Sequence, residues 1–181
     1  MHTAAFPEAL PRLLAAIDDG ILRADTWGDG TEAVCMMSAF VSGARGVQDC
    51  VTAGWPAWLV KLNVQLFDAT VGADDEAAAR QRFALDVAEA VQVPRDFDKT
   101  HDWFMVLRLA DGEHSALSTL RSLDCDTSQQ DAAVADVADL YRRRFGGQEV
   151  SAQAWVAAID AAIAGAIAGA RQDLIAALRA A

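Results

Sequence analysis

The segment Ser128–Gly147, SQQDAAVADVADLYRRRFGG, decides the fold class of this chain. Its apolar residues Val134, Val137, Ala138, Tyr141 and Phe145 recur in steps of three and four, the period of a helix with one buried face. Gly146-Gly147 supplies the stop, and Arg142-Arg143-Arg144 lies where cations meet the negative end of the helix dipole.

Working outward, the same pattern returns along the chain. Leu10, Leu13, Leu14, Ile17 and Ile21 follow Pro7 and Pro11 at helical spacing, predicting a first helix that ends near Arg23. Asp29 followed by Glu32 predicts a capped start for a short helix running to about Val41. Gln48 to Ala53 forms one further turn. Pro56 opens a helix carrying Trp58, Leu59, Leu62, Leu66 and Phe67, stopped by Gly72.

The acidic triplet Asp74-Asp75-Glu76 opens another helix with Phe83, Val87 and Val91 inward, ended by Pro94. Phe97, His101, Phe104 and Leu107 mark one face of the next, broken at Asp111-Gly112. Leu117 and Leu120 mark a short helix after it. Ser151 caps a last, Ala-rich helix expected to run to the chain end, with Trp155, Ile159, Ile163, Ile167, Leu174 and Leu178 on its apolar side.

No run of β-branched residues alternates with polar ones, so the expectation is an all-α, multi-helix bundle of about seven or eight helices. No linker or break in composition divides the 181 residues, which fits one domain over 1–181. Alanine, at 39 positions, reinforces the helical bias because it loses no side-chain entropy on entering a helix.

Cys35, Cys50 and Cys125 are an odd number at wide spacing, which gives neither a disulfide framework nor a zinc-ligand pair, and they read as free, buried thiols in a reducing cytoplasm. The N-terminal residues carry no signal-peptide pattern. The most apolar stretch, Trp155 to Ala170, is interrupted by Asp160 and falls short of the roughly 20 residues of a membrane span. The localisation expected is cytoplasmic, without membrane contact.

Charge is distributed unevenly. Of a net −11, the segment Asp68–Asp139 carries −10, from 16 acidic and 6 basic residues. Such a field repels nucleic acid and attracts basic surfaces. Asp74, Asp75, Glu76, Asp86, Glu89, Asp96, Asp98 and Asp102 therefore form the expected acidic face for a basic protein partner. Keeping an Ala-rich chain soluble and capping helices is the plainer role of the same acids.

Three other patterns bear on chemistry. Asp98, His101 and Asp102 share one helix face, the arrangement a metal-dependent hydrolase would need, but no second or third histidine is placed to complete it. Glu113-His114-Ser115 sets a base beside a hydroxyl, yet Ser115 reads better as a helix cap. There is no Gly-rich loop with a following Lys, and Lys61 and Lys99 are the only lysines, so nucleotide binding by that route is excluded. No catalytic residue, metal ligand or cofactor is assigned. Gly165 and Gly169, set among alanines, flatten one face of the last helix and make a homodimer contact the further expectation.

Two stretches carry a resemblance: Cys35-Met36-Met37-Ser38-Ala39-Phe40 with Gly43-Ala44, and Asp49-Cys50-Val51-Thr52-Ala53-Gly54-Trp55-Pro56-Ala57-Trp58-Leu59. Over about residues 30–125 the chain resembles uncharacterised Ala-rich helical accessory proteins of phages and bacteria. The resemblance implies a small accessory protein of the immunity or anti-defence type and brings no site residues with it. The first functional expectation is thus a non-enzymatic acidic protein that binds and occludes a basic surface of a nucleic-acid-handling partner, as an anti-CRISPR-like inhibitor or DNA mimic would. A hydrolase using His101 and a structural homodimer are the alternatives.

Overall fold

The computed structural model describes residues 3–24, 26–28, 33–69, 75–123 and 126–163. Helices dominate: α1 (Ala9–Asp18), α2 (Met36–Phe40), α3 (Val47–Thr52), α4 (Ala57–Asp68), α5 (Glu76–Ala90), α6 (Phe97–Val106), α7 (Ala116–Arg121) and α8 (Ser128–Phe145). A last helix, α9, is described over 152–163. Two residue pairs, β1 (Thr3–Ala4) and β2 (Arg95–Asp96), join antiparallel with Thr3 opposite Asp96. The all-α class holds. The chain divides into two compact units, Met1–Phe97 and Asp98–Ala181, and the boundary falls in the first turn of α6 rather than in a linker.

In the first unit, α1 packs on α2 and α5, and α4 packs on α2, α3 and α5. Its centre is aromatic. The Phe6 ring stacks on Trp55 at 4.0 Å and lies 5.8 Å from Phe97, while Phe40 stacks on the same indole at 5.5 Å. Phe6 N–H donates to the Val91 carbonyl at 2.7 Å, which ties the entering strand to the end of α5.

Two helix boundaries differ from expectation for one reason. Instead of running to Arg23, α1 ends at Asp18, and Gly20 turns the chain with a φ of +67°, a conformation glycine adopts without a Cβ clash. Residues 21–23 then extend to meet Val34: Val34 N–H donates to the Ile21 carbonyl, and Arg23 N–H to the Val34 carbonyl. Because its backbone is used in that parallel bridge, Val34 is not helical, and α2 begins only at Met36.

The buried stripes include the expected Leu13, Phe67 and Val91 but otherwise differ from those the large apolar residues suggest. On α4 the buried positions are Val60, Asn63 and Phe67, with Leu66 exposed; on α5 they are Ala84 and Ala88. On α1 they are Ala9, Leu13 and Ala16, and Leu14 is exposed. In this setting Asn63 reaches the Met37 thioether, with Nδ2 3.7 Å from Sδ.

In the second unit α6 runs on into a π-helical turn, Leu107–Asp111, which packs with α7 and α8. Gly112 ends it; a Cβ there would stand 2.5 Å from the Leu107 carbonyl oxygen, so the backbone closes as it does only with glycine. Val106, Leu117, Ala133, Ala138 and Leu140 are buried, whereas Phe145, expected inward, is exposed with its ring 5.3 Å from Trp103. Of the last helix, residues after 163 lie outside the described residues, and Gly165 and Gly169 with them.

Candidate functional site

The acidic residues separate into distinct roles. At the start of α5, Asp75 caps the helix, its carboxylate accepting from Ala78 N–H at 3.0 Å. One turn on, Glu76 pairs with Arg80 at 3.2 Å, and Arg80 Nε also donates to the Phe67 carbonyl. Asp86 and Glu89, three apart on α5, are exposed; Asp96 is half-buried in β2. Asp74 lies outside the described residues. The α5 acids and Asp96 belong to the first unit, and Asp98 and Asp102 to the second. Asp98 is exposed on α6, and on α8 so are Asp136 and Asp139, which the expected acidic face omitted.

Asp102 departs from the expected set. Its side chain is 4% exposed and is gripped by Arg144, whose Nε donates to Oδ2 at 2.8 Å while Nη2 donates to Oδ1. A carboxylate held side-on by a guanidinium offers nothing to a partner surface, so Asp102 does not join an acidic face. The bond to Asp102 also raises the Arg144 pKa above the ordinary guanidinium value, with burial opposing.

Around this pair an aromatic cluster closes. The Arg144 guanidinium lies 5.4 Å from the Tyr141 ring and 5.3 Å from the Trp155 ring, within the range of cation–π attraction. Tyr141 and Trp155 meet edge-on at 4.7 Å, and His101 stands 6.0 Å from Tyr141. Burial raises the Tyr141 phenol pKa, although the nearby Arg144 charge works against it. Helices α6, α8 and α9 are thereby pinned to one another through a single arginine. Arg142, Arg143 and Arg144 occupy the last turn of α8, at the negative end of its dipole as expected, and their side chains also take three separate partners, Arg142 on Asp111, Arg143 on Gln148 and Arg144 on Asp102.

His101 Nδ1 stands 3.5 Å from Asp102 Oδ1, so the two meet as their spacing requires, but Arg144 already occupies the carboxylate. Among the described residues no group of three or more His, Cys, Asp or Glu is placed to hold a metal ion. The Glu113-His114-Ser115 motif resolves as a turn. Ser115 Oγ accepts from Ser118 N–H at 3.1 Å and donates to the Ala110 carbonyl at 3.2 Å, while the His114 carbonyl accepts from Arg108. Ser115 also lines a surface hollow of about 510 Å³ shared with Asp111, Glu113 and Arg121, where Asp111 is engaged by Arg142.

Cys35 and Cys50 are free and buried; Cys125 lies outside the described residues. Burial pushes the Cys50 thiol up to about 11, with Cys35 and Asp49 adding to the shift, so it stays protonated and unreactive at neutral pH. Among the described residues no helix is long and apolar enough to cross a membrane.

No family model matches this chain, and neither does any curated protein or solved structure.

Proposed function

We propose that this protein is a non-enzymatic binding protein whose acidic surface docks on a basic face of a protein partner and covers it. The observation that carries this reading is the fate of charge in Asp68–Asp139. Arg80 and Arg121 are spent internally on Glu76 and Asp131, while Asp86, Glu89, Asp136 and Asp139 stay exposed. Among the described residues of this segment nine acids are exposed against five bases, so its outward-facing charge is net negative, although Arg142, Arg143 and Arg144 balance the three acids of α8 itself.

A partner that normally holds phosphates has the matching basic groove, which makes a nucleic-acid-handling protein the preferred target. Together with the sequence resemblance, this suggests an anti-defence inhibitor of phage origin acting in a cytoplasm. Direct binding to nucleic acid is disfavoured by like charge.

The test is capture of partners from a bacterial lysate by the immobilised wild-type chain and by two variants, Asp86→Lys/Glu89→Lys and Asp136→Lys/Asp139→Lys. A basic protein held at low salt, released at high salt and lost from at least one variant supports the reading. Identical eluates from all three chains refute it.

A further inference from the structure

A hollow of about 220 Å³ in the first unit, between α1 and α2, carries opposite charges at its two ends. Arg12, Ala15, Ala16 and Asp19 line it from the α1 side, and Ala39 and Ser42 from α2 and the turn after it. The four α1-side positions fall at i, i+3, i+4 and i+7, one face of the helix. Arg12 and Asp19 therefore stand two turns, roughly 10 Å, apart along its axis.

Neither charge is neutralised within the chain. Arg12 Nη1 donates to the Phe40 carbonyl at 3.3 Å, and neither Arg12 nor Asp19 has an ion-pair partner among the described residues. Asp19 is also unfavourably placed. It is the C-cap of α1, it follows Asp18, and no basic residue occupies the last turn, so two carboxylates sit at the negative end of the helix dipole. A cation bound beside Asp19 relieves that repulsion.

The space between the two charges is narrow and mostly apolar. Ala15, Ala16 and Ala39 leave it open, and Ile21 and Val34 extend the same wall. The Ser38 hydroxyl is turned to the Trp27 and Ala44 carbonyls, whereas Ser42 is exposed and its hydroxyl has no partner among the described residues. A hollow of this size excludes larger ligands, which need roughly 300 Å³ or more.

These features select the ligand. An ammonium suits the Asp19 carboxylate and a carboxylate suits the Arg12 guanidinium, each through charge-assisted hydrogen bonds. Whatever joins them spans roughly 10 Å over small apolar side chains, the length of about three extended residues, with Ser42 available to a peptide group. We infer that this hollow binds a short apolar peptide with both termini free, about three residues long, its ammonium at Asp19 and its carboxylate at Arg12. The inference is independent of the acidic-surface reading, since Arg12 and Asp19 lie outside Asp68–Asp139 and no substitution in that test touches them.

Titration of the full chain, followed by amide NMR shifts, tests it with tri-alanine, its N-acetylated form and its C-terminal amide. In wild type, blocking either terminus is expected to weaken binding about tenfold, the worth of one partly exposed charge-assisted hydrogen bond. Asp19→Asn is expected to ignore acetylation yet still respond to amidation, and Arg12→Gln to do the reverse. A damaged fold lowers affinity for all three probes alike, so this crossed pattern separates the two effects, and Asp19→Asn decides the matter even if Arg12→Gln fails to fold. Absence of tri-alanine binding to wild type overturns the inference. So do blocked peptides that bind as well as the free one, or variants whose losses are the same whichever terminus is blocked. ε-Aminocaproate, which has both charges but no peptide group, is expected to bind more weakly, and equal affinity would exclude a peptide as the occupant.

Discussion

Asp102 and Cys50 are buried side chains with opposite arrangements: one is held by a guanidinium, the other is enclosed without a charged partner of opposite sign. Removing the Asp102 charge leaves the Arg144 guanidinium between Tyr141 and Trp155 without its carboxylate. Arg144 is 45% exposed, so water offsets part of the loss, and Asp102→Asn is expected to cost about 1–3 kcal/mol in urea unfolding. The near-ultraviolet signal of Trp155 reports loosening at the same place. For Cys50 the sign runs the other way from a paired carboxylate. Its folded pKa, about 11, lies above the ordinary thiol value of 9.0, so between those values the unfolded chain releases the proton first. Stability from this group is complete below pH 9 and declines as pH rises toward 11, by roughly 3 kcal/mol in all. A melting temperature unchanged over that interval in wild type, relative to Cys50→Ala, contradicts the assignment. The burial of Cys50 was expected from the sequence, but that of Asp102 was not, since it looked like one more surface acid; only the approach of Arg144, 42 positions away, removes it from solvent.

At the scale of the element, helix starts were the most legible feature. Asp75, Ser115 and Ser151 each accept a backbone N–H three residues on, which their residue types and positions announce. Ser115 carries a second duty, since its hydroxyl also donates to Ala110 at the end of the π-helical turn. Ser115→Ala should therefore cost more than an ordinary cap, about 2 kcal/mol by chemical unfolding, against about 1 kcal/mol for Asp75→Ala on exposed α5. Equal losses at the two sites would mean the Ala110 bond contributes nothing. Element ends were less legible. The early stop of α1 and the late start of α2 come from the pairing of Ile21 and Arg23 with Val34, a non-local bond that no window of sequence contains. The π turn is likewise unannounced, because the helical spacing from Phe97 to Leu107 reaches its first residue with no sign of the wider turn that follows.

For the whole molecule, the consequential quantity is the charge carried by outward-facing positions. Exposed charges act over about 8–10 Å at physiological ionic strength, so partner capture by α5 or α8 should fall steeply as salt rises. The lysine substitutions proposed on those helices alter exposed positions and should leave the unfolding midpoint nearly unchanged, which separates loss of binding from loss of fold. A large drop in midpoint for Asp86→Lys/Glu89→Lys would show instead that these acids support α5.

By itself the sequence determined the helical class, most helix starts and the concentration of negative charge between Asp68 and Asp139, because capping chemistry, helical periodicity and net charge are local or additive. Tertiary structure alone decided the division at Phe97 and Asp98, the burial of Ala9, Ala16, Ala84 and Ala88 on faces assigned to larger apolar residues, and the withdrawal of Asp102 from the acidic set. Those depend on which residues distant in the chain come within a few ångströms, and spacing along one helix carries no record of what packs against it.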